Sequence, residues 1–365
     1  MEKIFEKDEL TKKERVLRTL GHEEVDRVAL HDQLSYNPGV ISLYAGKRIK
    51  GFGYGAEDIG RAISATLDSC FPICAPCGTG RYTDGYGFAY QNDNWTRWHV
   101  SRPFFDEHGA KEWLCRHIGN LKRQTKEFDA DSYRKSHSER MRHMCGLVGE
   151  TVVIDITSTG FCEAYDRMGL EIFSFFQFEY PEILDEYMEV SANLSILGAN
   201  AAEYAKFTPA VLIAEDFATK QGPIFSHEFL GRYHFPYVKR LAKALHDGGV
   251  YVIYHSDGNY RKSIPSLVGC GADGFYCLEP NCGMDIVALK NEYPEISWAG
   301  GVDGVDLLER GTPEQTKAEV GRHIAETKAR QTGGMMIASS SEINPQVKPE
   351  NFRAMVEAAD FYRNL

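Results

Sequence analysis

The sequence lacks any apolar run close to the roughly 20 residues that a helix needs to cross a bilayer. Its first residues, MEKIFEKDELTKKERV, are charged and contain no apolar signal-peptide core. Basic residues are in the minority, because 41 Lys and Arg stand against 52 Asp and Glu, a formal net charge of −11. These absences argue against binding to membranes or nucleic acids and predict a cytoplasmic protein.

The cysteines lack the spacing of a disulfide framework. Nine are scattered over 365 residues, and an odd, unpatterned set in a long chain is not typical of a disulfide-stabilised protein. One CxxC motif, CAPC at 74–77, has no second pair to complete a metal site. It is more simply explained as a loop with small apolar side chains than as a redox or metal centre.

Short apolar segments alternate with helical patterns from residue 150 onward. Capping patterns mark helix starts at Thr11 with Glu14, at Ser226, and at Thr312 with Gln315. Continuously apolar strands that are each followed by a helix indicate a parallel sheet covered on both faces. The predicted strands are 27–31, 69–74, 151–157, 210–216, 250–255, 273–279, 296–300 and 334–339.

Eight such strands predict an α/β fold, a (β/α)8 TIM-type barrel formed by residues 1–365 as a single domain. An N-terminal helical and loop-rich extension is expected, and an open doubly wound sheet is the alternative. Residues 36–110 are rich in glycine and aromatic residues. We predict that this loop-rich region forms a cap or lines the substrate site.

Polar side chains recur where the predicted strands end. In such barrels the site lies at the carboxyl ends of the strands. Each carboxylate alone could cap the next helix, but several that converge at one opening predict a functional site. These residues are Asp155, Glu215, Asp216, His255, Asp257, Glu279, Asp303 and Glu342.

The ordered segments KKERVLRTLGHEEVDRVAL, GGVYVIYHSDGN and SWAGGVDGVDLLERGTPEQTKAEV resemble the uroporphyrinogen decarboxylase superfamily. The resemblance extends over most of the chain and implies a distorted (β/α)8 barrel. It also implies one of two chemistries. One is decarboxylation of a porphyrinogen, and the other is methyl transfer to or from a corrinoid protein with a bound zinc ion.

The first loop argues against a porphyrinogen substrate. The decarboxylase branch carries an arginine motif there to bind a polyanion, whereas HDQLSYNPGVISLYAGKR has no arginine before Arg48. It offers His31, Tyr36 and Asn37 instead. We predict that these three residues bind a small neutral or aromatic substrate.

The resemblance to the zinc methyltransferases implies a His-x-Cys pair at one strand end, a glutamate on the next strand and a cysteine in a late loop. The chain keeps His255 and has Glu279 at the glutamate position, but Asp257 replaces the first cysteine and SSSE around Ser340 replaces the second. We predict zinc ligands His255, Asp257 and Glu279, with Cys282 as a fourth. A carboxylate-rich set favours an oxygen ligand.

The sequence therefore predicts a methyltransferase that moves a methyl group from a methoxylated, aromatic substrate to a corrinoid on a separate corrinoid-binding protein. Zinc would act as the Lewis acid on the leaving oxygen. We predict catalytic roles for Glu215 and Asp216, either orienting a substrate hydroxyl or protonating that oxygen. The alternatives are methylamine, methanol or thioether donors, a cofactor-independent decarboxylase of a small carboxylated substrate, and a non-catalytic ligand-binding barrel.

Overall fold

A computed structural model describes residues 4–365. The strands are β1 Ala29–Asp32, β2 Ser69–Cys70, β3 Thr79–Thr83, β4 Ala89–Asp93, β5 Thr96–Ser101, β6 Val152–Val153, β7 Asp155–Thr157, β8 Ala210–Ala214, β9 Ala218–Thr219, β10 Gly222–Pro223, β11 Tyr251–His255, β12 Gly274–Tyr276, β13 Ser297–Val302 and β14 Met335–Ser339. The helices are α1 Lys12–Leu20, α2 Pro38–Tyr44, α3 Ala56–Thr66, α4 Glu107–Lys126, α5 Ala130–Val148, α6 Phe161–Met168, α7 Leu170–Glu179, α8 Pro181–Ala201, α9 His227–Tyr233, α10 Phe235–Asp247, α11 Ile264–Gly269, α12 Ile286–Glu292, α13 Pro313–Thr327, α14 Ala329–Thr332 and α15 Pro349–Phe361.

Nine strands form one parallel sheet in the order β6-β2-β1-β14-β13-β12-β11-β8-β7. The two outermost strands, β6 and β7, are consecutive segments of the chain separated only by Ile154. The Ile154 amide also bonds to the Cys70 carbonyl of β2 at 2.8 Å. The sheet therefore closes into the predicted (β/α)8 barrel, in which β6 and β7 are two parts of one strand.

Alternation along each strand separates two apolar layers. In β14, Met336 and Ala338 belong to a cluster inside the barrel, while Met335 and Ile337 belong to the layer between strands and helices. In β11, Ile253 lies inside and its neighbours lie outside. Since side chains alternate with a period of two, His255 at the end of β11 points into the barrel opening.

The region 36–110 is more regular than the sequence predicted. It contains α2, α3, the barrel strand β2 and a three-stranded antiparallel sheet, β3-β4-β5. Arg167 of α6 fastens this small sheet by contacts to Asp84 at 2.8 Å and to the Tyr90 hydroxyl at 2.7 Å. The sheet follows the carboxyl end of β2, so it lies on the side of the barrel where a cap was predicted.

The predicted helix starts at Thr11, Ser226 and Thr312 are confirmed, each with a side-chain cap. The segment that begins at Ser226 forms two helices, α9 and α10. The break falls at His234, two residues before Pro236, whose ring cannot continue the preceding helix. Within residues 4–365, no helix is both long and apolar enough to span a membrane.

A buried charge cluster joins α1 to the amino-terminal ends of the first two strands. Asp68 is fully buried and accepts hydrogen bonds from Arg15 and Arg27 at 2.7 Å and from the Leu30 amide at 2.8 Å. Burial raises the Asp68 pKa, but the charges of both guanidinium groups outweigh it and hold this pKa below its usual value. The carboxylate thus stays ionised and pairs two buried cations.

Replacing Asp68 with alanine should lower the free energy of unfolding by about 3–5 kcal/mol, because two buried guanidinium groups lose the fully buried carboxylate that they share. Urea denaturation followed by circular dichroism measures this loss. Asp131→Ala is the control, because Asp131 forms an exposed pair with Arg134 and its loss should have a much smaller effect. Equal effects of the two substitutions would contradict the assignment.

Candidate functional site

His255, Asp257 and Cys277 converge at the carboxyl-end opening of the barrel. Their potential donor atoms, one nitrogen, one oxygen and one sulfur, all lie within 4.8 Å of one another. His255 Nε2 is 3.8 Å from Asp257 Oδ1, and Cys277 Sγ is 3.0 Å from the same oxygen. Within the described residues this is the one group of three or more donors compact enough for a metal ion.

Cys277 was not among the sequence-predicted ligands. It follows β12, where alternation would point it away from the interior that holds Tyr276. Its φ of 68° breaks the alternation, and both side chains belong to the inner cluster. Its sulfur also contacts the Ser340 carbonyl at 2.9 Å. Burial, and then the charge of Asp257, raise the Cys277 pKa, so without a cation the group is a thiol.

The predicted catalytic pair divides into two different roles. Glu215 is buried, and its carboxylate accepts bonds from the Thr159 amide and hydroxyl at 2.5 and 2.6 Å and from the Cys162 amide at 3.0 Å. It therefore anchors the loop after β7. Asp216 is half-exposed and faces His255, with 3.4 Å between its Oδ1 and Nε2. Asp216 is the member of the pair that is open to a ligand.

His255 and Asp216 shift each other's pKa. Burial lowers the His255 pKa, but the hydrogen bond to Asp216 and the charges of Asp216, Asp257 and Glu279 overcome it, so this pKa is raised. Burial raises the Asp216 pKa, yet the bond to His255 and the Asp257 amide, which donates at 2.8 Å, leave it lowered. Asp216 is consequently a carboxylate, suited to accept a hydrogen bond.

Glu279 and Cys282 lie beside the donor group without joining it. One Glu279 oxygen accepts a bond from the Gly258 amide at 2.6 Å, and the other is 3.5 Å from Cys282 Sγ. Gly258 follows Asp257, so Glu279 holds the loop that carries a predicted ligand. Their role as zinc ligands remains a prediction.

The three predicted substrate-binding residues occupy different environments. His31 is buried inside the barrel, bonded to Ser69 Oγ at 2.9 Å, and burial lowers its pKa to about 3. Asn37 caps α2 and donates to the carbonyls of Asn344 and Val347, so its polar atoms are occupied. Tyr36 is half-buried, with its ring centroid 6.3 Å from that of Trp95. Of the three, the geometry leaves Tyr36 best placed to touch a substrate.

Two other predicted strand-end carboxylates serve the fold. Asp155 accepts bonds from His137 at 3.0 Å and from Arg140 at 2.6 Å. Asp303 caps the following π-helical turn, Gly304–Glu309, and binds Asn281 at 2.7 Å. Neither carboxylate joins the donor group at the opening.

Asp32, at the end of β1, is a residue of the opening that the sequence analysis missed. It is fully buried and accepts hydrogen bonds from the Ser339 amide at 3.1 Å and the Gln33 amide at 2.9 Å. Burial raises its pKa to about 8 despite these bonds, and the charge of Glu342 adds to the rise. Its position directly after the predicted strand 27–31 was the available signal.

A cleft of about 800 Å³ lies elsewhere on the molecule. Lys12, in its wall, donates to Ser64 and to Thr151, which precedes β6, so the cleft adjoins the amino-terminal ends of the strands. None of the residues at the barrel opening lines it. The cleft is therefore separate from the candidate site.

Asp32→Asn should change how stability depends on pH. Protonated Asp32 contributes stability that is fully present below its unfolded pKa of about 4 and is lost as pH rises through the folded value of about 8. The neutral amide cannot titrate. The free energy of unfolding of the variant, relative to that of the wild type, should therefore rise between pH 4 and pH 8. Urea midpoints measured across this range test the effect, and parallel curves for the two proteins would contradict it.

Comparisons with known proteins identify the family. Residues 164–362 match the family model described as uroporphyrinogen decarboxylase (URO-D). A methyltransferase from Methanosarcina mazei has a similar structure, with a TM-score of 0.66 and 18% identity over 97% of this chain and 99% of that chain. A sugar phosphate isomerase/epimerase from Parabacteroides distasonis matches with a TM-score of only 0.31 and 10% identity, over 61% of this chain and 75% of that one, and supports no argument. Curated protein sequences gave no match. Since the family model covers more than half of its length, the chain belongs to the uroporphyrinogen decarboxylase (URO-D) family.

Proposed function

We propose that the protein is a methyltransferase that moves a methyl group from a methoxylated aromatic compound to the corrinoid of a separate corrinoid-binding protein. The observation that carries the proposal is the convergence of His255, Asp257 and Cys277 at the open end of a URO-D barrel. The fold shared with a methyltransferase from Methanosarcina mazei supports it.

The donor group fits a zinc ion. Zinc binds nitrogen, oxygen and sulfur ligands at about 2.0–2.3 Å in tetrahedral sites, so donor atoms within 4.8 Å of one another need only a small contraction. Three protein ligands leave a fourth position for a substrate. Bound there, zinc would supply Lewis acidity to the oxygen that leaves as the methyl group is transferred.

Cys277 explains how the chain departs from the ligand pattern that the family resemblance implies. That pattern has cysteines where this chain has Asp257 and the segment around Ser340. The Cys277 sulfur lies 3.0 Å from Asp257 Oδ1 and 2.9 Å from the Ser340 carbonyl. A thiol that directly follows β12 thus reaches the space between the two substituted positions, and the proposed set becomes His255, Asp257 and Cys277.

The remaining polar groups orient the substrate. Asp216, as a carboxylate, can accept a hydrogen bond from a substrate hydroxyl beside the methoxy group. The Asp257 amide donates a hydrogen bond to the Asp216 carboxylate, which links Asp216 to the loop that carries the proposed ligand Asp257. Tyr36 and Trp95, from the β1 loop and the small antiparallel sheet, present aromatic faces on which a ring can pack.

Decarboxylation of a small carboxylated substrate fits the site less well. Such an enzyme needs cations beside the substrate carboxylate. In the described part of the chain, no Lys or Arg forms an ion pair with Asp216, Asp257, Glu279 or Glu342. The partner of Asp216 and of Asp257 is His255.

Purified protein supplemented with zinc should bind about one ion per chain. Cys277→Ala, His255→Ala and Asp257→Ala should each weaken zinc affinity by about tenfold or more, because a three-ligand site loses a donor. Elemental analysis after dialysis against a weak chelator measures the retained metal.

The matched controls are Cys74→Ala, an exposed thiol, and Cys282→Ala, the thiol suggested by the sequence. Both should retain zinc. Loss of zinc from the Cys282 variant but not from the Cys277 variant would restore the sequence-based ligand set and refute this one.

The zinc-loaded protein should transfer a methyl group from a methoxybenzene to a Co(I) corrinoid, seen as the absorbance change of methylcobalamin formation. The methyl leaves oxygen for cobalt, and the phenolate released takes a proton from water. Asp216→Asn should reduce turnover about tenfold if it orients the substrate. Zinc-loaded protein that transfers no methyl group from aryl methyl ethers would refute the proposal, and transfer from amines or methanol alone would do the same.

A further inference from the structure

The Ser256 hydroxyl is a buried group that joins the segments after β8 and β11. Ser256 stands between His255 and Asp257 and is fully buried. Its oxygen accepts a hydrogen bond from the Phe217 amide at 3.2 Å and donates one to the Asp257 carbonyl at 2.9 Å. Phe217 directly follows Asp216. One hydroxyl therefore connects the backbone beside both carboxylates that face His255.

Further hydrogen bonds hold the backbone on both sides of the Asp257 side chain. The Asp257 amide donates to Asp216 Oδ1 at 2.8 Å, and the Gly258 amide donates to a Glu279 oxygen at 2.6 Å. Gly258 has a φ of 78°, and a Cβ atom there would lie only 2.7 Å from the Thr219 carbonyl oxygen. The loop that carries Asp257 is therefore packed closely against the segment after β8.

The backbone at Asp216 is held in the same way. Its carbonyl accepts hydrogen bonds from the Tyr165 hydroxyl and from Cys162 Sγ, the latter at 3.0 Å, and the next amide is the one that donates to Ser256. The side chains of Asp216 and Asp257, by contrast, are 50% and 61% exposed. A fixed backbone thus presents two accessible carboxylates.

The direction of the Asp257 carboxylate depends on that backbone. Within the described residues, this carboxylate has polar contacts only with His255 and Cys277, which are themselves proposed ligands. No side chain outside the donor group orients it. Hydrogen bonds around a metal site orient its ligands, and the loss of one typically lowers metal affinity by about 10–100-fold.

We infer that Ser256 is a positioning residue for the metal site. Its hydroxyl fixes the backbone of Asp257 against the segment that carries Asp216, so that the Asp257 carboxylate meets a bound zinc ion beside His255 and Cys277. The inference rests on the proposed function. It adds to the proposed ligand set a residue that contacts neither the metal nor the substrate.

Ser256→Ala should weaken zinc affinity about tenfold, because the backbone of Asp257 is no longer fixed. Thr208→Val is the matched control. The Thr208 hydroxyl, just before β8, is also buried, accepts from the Ala210 amide at 3.3 Å and donates to the Ala210 carbonyl at 2.8 Å. Both variants should lose similar stability in urea, but only Ser256→Ala should lose zinc affinity in competition with a chromophoric chelator.

Two further measurements separate positioning from a general loss of stability. The visible absorption of bound cobalt(II) reports the geometry of its ligands, so the spectrum should change in Ser256→Ala and match the wild type in Thr208→Val. Amide hydrogen exchange needs no variant. In the metal-free wild type, peptides from 215–219 and 255–259 should already exchange slowly, and zinc should slow them little further, because the hydrogen bonds exist before the metal binds.

Wild-type zinc affinity and an unchanged cobalt(II) spectrum in Ser256→Ala would overturn the inference and leave the proposed function intact. Rapid exchange of 255–259 that only zinc slows would overturn it as well. If the wild type binds zinc as expected but transfers no methyl group, the proposed function fails and the role of Ser256 at the metal site stands. A wild-type protein that binds no zinc would overturn both.

Discussion

The site depends on one geometric constraint, the closure of a parallel sheet into a barrel. Parallel strands in a closed sheet must all end at the same opening, and alternation decides which side chain of each strand faces inward. In β11 this places Ile253 inside, Tyr254 outside and His255 at the inner edge of the opening. Residues far apart in sequence, such as His255 and Cys277, then share a space a few ångströms across.

The backbone at Cys277 is the main departure from that regular pattern. A φ of 68° is uncommon for a residue other than glycine, and such strain costs on the order of 1–3 kcal/mol. The rigid barrel around β12 tolerates it, and the result is a thiol turned toward Asp257. Strain of this kind is typical of functional sites, where it serves to aim a side chain.

The acidic residues of the opening fall into two groups by their hydrogen bonds. Glu215, Glu279 and Asp303 accept bonds from the backbone of neighbouring loops and hold those loops in place. Asp216 and Asp257 are more exposed and face His255. The first group shapes the opening, and the second is open to a ligand. Strand-end position alone does not distinguish the two, because it does not say which way the next loop turns.

The sequence by itself determined the eight barrel strands, the capped helix starts and His255 at a strand end, because these follow from local alternation, capping and chain order. Only the tertiary structure shows that Glu215 anchors a loop and that the side chain of Asn37 caps a helix. It also shows that the Tyr276 hydroxyl has no hydrogen-bond partner among the described residues. It also turned Cys277 inward, against the alternation of its strand. Each of these outcomes depends on a backbone dihedral or on a contact between distant segments, and local pattern carries no information about either.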